Sequence, residues 1–160
     1  MRLQIAATAA VLFLSGAGVA SAATVHFTAD LKGSSEVPAN TTTGTGQVAA
    51  TLDTATDMFT YHVTYGGLTG PAVAAHFHGP ALPGGGAPPV ITMNSLATPI
   101  DGTATLTAAQ AADLQAGKWY FNVHTAEHKG GEIRGQLEAA RQGSGEGASN
   151  GAQPMSAYGR

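Results

Sequence analysis

The chain has 160 residues, no cysteine and a formal net charge of −3 at neutral pH. This length suits one domain, and the acidic balance argues against a nucleic-acid partner, which would require a basic surface. The absence of cysteine excludes disulfide bonds and thiolate metal ligands. The fold must therefore rely on its hydrophobic core and, as one option, on a metal held by other side chains.

The first 22 residues have the pattern of a secretory signal peptide. Arg2 supplies a positive charge, an apolar run extends from Ile5 to Leu14, and Ala20-Ser21-Ala22 is the small-residue pattern that signal peptidase accepts. The run is too short for a transmembrane anchor. We therefore expect residues 1–22 to be cleaved and the protein to be exported to the periplasm or the cell exterior.

Six segments alternate apolar and polar residues between turn-forming glycines and prolines, which is typical of half-buried β-strands. Their apolar positions are, in chain order, Val25, Phe27, Ala29 and Leu31; Val48, Ala50 and Leu52; Phe59, Tyr61, Val63 and Tyr65; Val73, Ala75 and Phe77; Trp119, Phe121 and Val123; and Ile133 and Leu137. The pattern predicts an all-β domain over residues 23–140. We expect a Greek-key β-sandwich of about seven strands, with an up-and-down barrel as the alternative.

One helix and one tail complete the predicted organisation. Thr107 and Gln110 have the spacing of a capping box, and Gly117 is placed to end a helix, so a short helix is expected near 107–116. Residues 141–160 consist largely of small and polar residues without apolar periodicity, which predicts a disordered tail.

Histidines are the candidate functional residues. His76 and His78 face away from the apolar side of their strand, roughly 6.5–7 Å apart, a separation that suits two imidazoles on one ion. On the strand that begins at Trp119, Asn122 and His124 also occupy the non-core face. If the two strands are neighbours, the three histidines can meet, and His128 could supply a fourth ligand.

Three neutral imidazoles without cysteine favour copper or zinc over magnesium or calcium, which prefer oxygen ligands. An oxidising, exported location favours copper, with zinc as the alternative. Beyond the histidines, Glu132 and Arg134 are predicted to point outward, on what could be the side that carries His124. Arg134 could attract an anion such as superoxide or a carboxylate. Alternatively, Glu132 and Arg134 form a surface ion pair that contributes under about 1 kcal/mol.

Several separated motifs together resemble the CHRD domain family, named for chordin. In chain order they are Leu31-Lys32-Gly33-Ser34-Ser35-Glu36-Val37-Pro38, Gly44-Thr45-Gly46, Tyr61 to Tyr65 with Gly67-Leu68, Ala75-His76-Phe77-His78-Gly79-Pro80, Trp119-Tyr120-Phe121-Asn122-Val123-His124-Thr125 and Gly131-Glu132-Ile133-Arg134-Gly135-Gln136-Leu137. The resemblance covers about residues 24–138 and implies an immunoglobulin-like β-sandwich or barrel, of a kind that bacteria carry as stand-alone exported proteins. His128 is not part of the family pattern, and Lys129 stands where the family usually has proline.

These observations predict an exported protein that binds copper or zinc through His76, His78 and His124. Asn122 and Glu132 are expected beside the ligands. By analogy with the copper-zinc superoxide dismutases, a redox activity on superoxide is one expectation. The competing hypothesis is a non-enzymatic binding or structural module of the periplasm or cell surface, whose histidines satisfy only local hydrogen bonds.

Overall fold

The computed structural model describes residues 23–140, so the predicted signal peptide and tail lie outside it. It contains one helix, α1 (Ala108–Gln115), and a 3-10 turn at Gly33–Ser35. The strands are β1 (Thr24–Lys32), β2 (Thr45–Asp53), β3 (Met58–Gly66), β4 (Ala72–His78), β5 (Pro89–Thr92), β6 (Ile100–Thr105), β7 (Tyr120–Thr125), β8 (Ile133–Gln136) and β9 (Glu138–Ala139). The all-β prediction is confirmed.

The strands form one antiparallel sheet that curls into a nearly closed barrel or sandwich, in the order β5-β4-β7-β8-β1-β2-β3-β6. Only one residue pair, Lys32 with Arg134, joins β8 to β1, and β9 pairs with β1 beside it. The sheet thus has two four-stranded halves, β5-β4-β7-β8 and β1-β2-β3-β6, which are linked at one corner. The described chain has nine strands rather than about seven, since the short strands β5, β6 and β9 lack the alternation of large apolar residues.

The core lies between the two halves. Its aromatic centre includes an edge-to-face contact of Phe59 with Phe77, whose ring centroids lie 5.2 Å apart, and Phe77 also packs on Phe121. Val73 was predicted to be buried but is 56% exposed. The reason is an irregularity in the pairing with β7 between Ala72 and Ala74, which breaks the alternation at this end of β4.

The outer face of β7 and β8 is covered, which the sequence did not predict. Tyr120, Asn122 and Arg134 are 5%, 3% and 4% exposed. The segment 79–88 lies over this face. Two hydrogen bonds hold it there: Arg134 Nη2 donates to the Gly85 carbonyl, and Gln136 Nε2 donates to the Ala81 carbonyl. Arg134 lies on the outer face, opposite Asn122, as expected, but the covering segment keeps it from solvent, and β7 is buried on both faces.

The predicted capping box at the start of α1 is present. The Thr107 hydroxyl accepts from the Gln110 backbone N–H at 3.3 Å, and the Gln110 side chain accepts from the Thr107 N–H at 2.8 Å. Ala111 and Leu114 are buried in the core, and Gly117 ends the helix with a φ of 69°. The helix thus depends on local capping as well as on packing.

We expect Thr107→Ala to lower the free energy of unfolding by about 1 kcal/mol, because the first helical turn loses one side of its capping box. Urea denaturation followed by far-ultraviolet circular dichroism measures the change. Thr107→Ser keeps the hydroxyl and should behave like the unchanged protein. Equal midpoints for the alanine and serine variants would contradict this role of the cap.

Candidate metal centre

Strands β4 and β7 are neighbours, and their register brings the histidines together. His76 lies opposite Asn122, His78 opposite Tyr120, and Ala74 opposite His124. Directly paired and diagonal side chains on one face of a sheet are within contact distance. As a result, ligand atoms of His76, His78 and His124 all lie within 4.8 Å of one another.

Backbone carbonyls hold one ring nitrogen of two of these histidines. His78 Nδ1 lies 2.9 Å from the Ala87 carbonyl oxygen, and His124 Nδ1 lies 2.9 Å from the Lys129 carbonyl oxygen. A carbonyl oxygen only accepts, so each neutral imidazole carries its proton on Nδ1 and leaves a lone pair on Nε2. A backbone carbonyl bonded to the far nitrogen is the usual support of a metal-ligating histidine.

The two Nε2 atoms converge on one point. Each lies 3.0 Å from Asn122 Oδ1, and His124 Nε2 is 3.2 Å from His76 Nδ1. In the neutral state the two Nε2 lone pairs and the amide oxygen are all acceptors. This cluster is electron-rich and suits a cation.

The environment favours the neutral forms of His76 and His78. Burial lowers the pKa of His76, and the neighbouring His124 and His78 lower it further. Burial also lowers the pKa of His78, against the opposing effect of its bonds to Ala87 and Asn122. His78 is buried, whereas His76 and His124 are partly exposed, so the cluster is open to solvent on one side.

Tyr120 and Arg134 support His78 from the side. The rings of His78 and Tyr120 are stacked, with centroids 4.6 Å apart and planes 3° from parallel. The Arg134 guanidinium lies 3.5 Å from the centre of the Tyr120 ring, a cation–π contact. Attraction of an anion requires an accessible guanidinium, so the buried position of Arg134 favours a supporting role instead.

Glu132 was expected beside the ligands, but its carboxylate bonds to threonines and to none of the histidine rings of residues 23–140. Its carboxylate accepts from the hydroxyls of Thr42, Thr69 and Thr125 at 2.6, 2.7 and 2.6 Å, and from the Thr69 N–H at 2.7 Å. The turn at Gly131, whose φ is 134°, precedes the regular alternation of β8. The side chain consequently joins Thr125 at the end of the core.

The remaining histidines are separate from the cluster. His128 lies in the turn between β7 and β8, where its backbone N–H donates to Thr125 Oγ1, and its ring is not among the converging ligands. The expected fourth ligand is therefore not brought to the site. His26 and His62 are exposed, and His62 Nδ1 contacts Asp101 at 2.6 Å.

Glu36 is a buried carboxyl group for which no sequence pattern predicts a role. This carboxyl is 6% exposed and lies near both Asn122 and Arg134. Its burial raises its pKa to about 7, although the Arg134 charge, the Val37 N–H and the Asn122 side chain act to lower it. The sequence shows a glutamate in the Glu36-Val37-Pro38 stretch. Its position near Arg134 and Asn122 depends on the fold.

A comparison with known protein families agrees with the sequence motifs. The CHRD domain model matches residues 27–137. No curated protein and no solved structure gave a match. Within residues 23–140, no helix is long and apolar enough to cross a membrane. The match covers more than half of the chain and includes all three clustered histidines, and the chain therefore belongs to the CHRD domain family.

Proposed function

We propose that this protein binds one transition-metal ion, copper in preference to zinc, through His76, His78 and His124. The observation that carries the proposal is the pair of carbonyl-held Nδ1 atoms, which leaves two Nε2 lone pairs aimed at the same point. Imidazole ligands suit Cu(II) and Zn(II), and copper binds the tighter of the two at a given nitrogen site.

The ligand distances are compatible with one ion. A metal with bonds of about 2.0–2.1 Å to nitrogen holds its ligand atoms about 3–4 Å apart. His76 Nδ1 and His124 Nε2 are already 3.2 Å apart. The ligands sit on adjacent strands of one sheet, so small side-chain rotations suffice.

The partly exposed side of the cluster, at His76 and His124, leaves room for a further ligand. A bound copper would supply one-electron redox chemistry there. The Ala87 and Lys129 carbonyls orient the rings of His78 and His124. Superoxide dismutation is a separate prediction that an activity assay tests. Export of the protein is also part of the proposal, because copper is handled in oxidising compartments.

The test is the metal content of the protein prepared without a histidine tag, offered Cu(II) or Zn(II) in separate samples and then desalted. We expect about one copper per chain, and a gain of about 2.7 kcal/mol in unfolding free energy at a metal concentration 100 times the Kd. His78→Ala and His124→Ala should lose both effects, because each removes an Nε2 ligand.

His62→Ala is the matched control, since it removes an exposed histidine outside the cluster. It should retain full metal content. Absence of metal from the unchanged protein, or equal metal content in His78→Ala, would reject the proposed site. The non-enzymatic module with purely local histidine bonds would then be the better description.

A further inference from the structure

Arg134 carries a positive charge that is buried among neutral groups. Its side chain is 4% exposed, its Nη2 donates to the Gly85 carbonyl, and its guanidinium lies over the face of the Tyr120 ring. None of the salt bridges within residues 23–140 includes it. A buried charge is normally paired with an opposite one, because burial removes the water that would stabilise it. The charge of Arg134 therefore acts on its surroundings with little compensation.

Glu36 is the acidic residue that lines the same surface cavity, of about 300 Å³, as Arg134. Burial raises the pKa of Glu36 to about 7, although the Arg134 charge acts to lower it. At pH 6 the Glu36 carboxyl is thus mostly protonated and does not offset the guanidinium. The charge of Arg134 is least compensated under these conditions.

One aromatic ring links the guanidinium to the histidine cluster. Strand β7 lies between β4 and β8, so His78 and Arg134 reach the Tyr120 ring from opposite sides of that strand. The His78 ring is stacked on it with centroids 4.6 Å apart, and the guanidinium lies 3.5 Å from the ring centre. The Arg134 charge also acts to lower the pKa of His78. A charge that disfavours a proton on His78 also disfavours a cation bound to that imidazole.

We propose that Arg134 biases the histidine cluster toward Cu(I) over Cu(II) and Zn(II), and thereby raises the reduction potential of bound copper. This inference rests on the proposed metal-binding function and specifies the oxidation state that the site favours. The three imidazoles are neutral ligands, so they bring no negative charge that would cancel the guanidinium. Arg134 acts through its charge alone and touches neither the ion nor its ligand atoms.

The size of the effect follows from Coulomb's law. Repulsion by a fixed charge grows with the charge of the ion, so a divalent ion loses about twice as much binding free energy as a monovalent one. For unit charges about 8 Å apart and an effective dielectric constant of about 20, the loss is roughly 30-fold in affinity per unit of ion charge. Solvent at the partly exposed His76 and His124 screens part of this repulsion. A bias of about 10-fold remains as the expectation.

Arg134→Gln tests the proposal in the copper-loaded protein at pH 6. The reduction potential is measured by redox titration, and the Cu(I), Cu(II) and Zn(II) affinities by chelator competition. We expect the affinity ratio to shift about 10-fold from Cu(I) toward Cu(II), which lowers the potential by about 59 mV. Zn(II) binding should gain on Cu(I) binding by a similar factor, because Zn(II) has the charge of Cu(II). An unchanged or higher potential would overturn the proposal.

A purely structural role of Arg134 would give a different result. Loss of the stacked guanidinium would disturb His78 and weaken the binding of all three ions, without an order set by their charges. Arg134→Lys separates the two roles, since it keeps the charge but loses the planar contact with Tyr120. It should keep the potential close to that of the unchanged protein. Equal shifts in Arg134→Lys and Arg134→Gln would reject an effect of charge.

Lys32→Gln is the matched control for the loss of a positive charge. Lys32 pairs with Arg134 in the strand register, but its side chain is 57% exposed and lies 3.6 Å from the Asp30 carboxylate. Water and salt screen such a charge, so the potential should not change. A shift as large as that of Arg134→Gln would show an effect of net charge only and would overturn the specific role of Arg134.

The same samples separate this inference from the proposed function. Failure of the unchanged protein to bind copper would reject the proposed function, and the inference with it. Copper bound at the same potential in the unchanged protein and in Arg134→Gln would reject the inference alone.

Discussion

Glu132→Gln is expected to lower the free energy of unfolding by about 3 kcal/mol at neutral pH. Burial acts to raise the pKa of this carboxyl, but hydrogen bonds from Thr125, Thr42 and Thr69 outweigh burial and lower the pKa to about 2. Charge-assisted hydrogen bonds of this kind are stronger than those between neutral groups. Glutamine keeps only one acceptor oxygen for four donors.

The effect should disappear in acid. The pKa of Glu132 lies below its ordinary value of 4.5 in the folded state, so the ionised group stabilises the fold above about pH 4.5. This contribution is lost as the pH falls toward 2. Urea denaturation of both proteins between pH 7 and pH 3 measures the difference. A stability difference that does not change with pH would contradict a stabilising, ionised Glu132. Glu138→Gln controls for the loss of an exposed charge.

Glu36→Gln is expected to have the opposite effect on stability. The pKa of Glu36 rises from 4.5 to about 7 in the folded protein, because burial disfavours the ionised form more than Arg134 and its other neighbours favour it. Between these values the folded protein keeps a proton that the unfolded chain has lost, so the stability of the unchanged protein falls as the pH rises. At about 1.4 kcal/mol per pH unit, the loss amounts to about 3 kcal/mol, complete above pH 7.

Because glutamine does not titrate, the stability of metal-free Glu36→Gln relative to the unchanged protein should increase by about 3 kcal/mol between pH 4.5 and pH 8. Urea denaturation at several pH values in the presence of a chelator measures this increase. Glu138→Gln should give a difference that does not change in the same way. A constant difference for Glu36→Gln would show that Glu36 ionises equally in the folded and unfolded states.

The two glutamates thus have contrasting roles. Glu132 is ionised, fully hydrogen-bonded and part of the structural framework. Glu36 is buried, its Oε1 has no hydrogen-bond partner within the described residues 23–140, and its ionisation disfavours the fold.

Local patterns in the sequence were sufficient for most of the framework. Alternation of apolar residues located β1 to β4, β7 and β8, because a half-buried strand must place its side chains on two faces in turn. The same parity put His76 and His78 on one face of β4, and Asn122 with His124 on one face of β7. The capping box located α1, since helix capping is decided within four residues.

The tertiary structure alone decided how these pieces meet. The pairing of β4 with β7 brings His124 to His76, although 48 positions separate them in the chain. The segments around Glu36 and Gly85 cover a face that parity alone would leave in water, and this burial holds Arg134 away from solvent. Strand periodicity specifies which side of a strand a residue occupies. It cannot specify which distant strand or loop lies against that side, because this depends on long-range packing of the whole sheet.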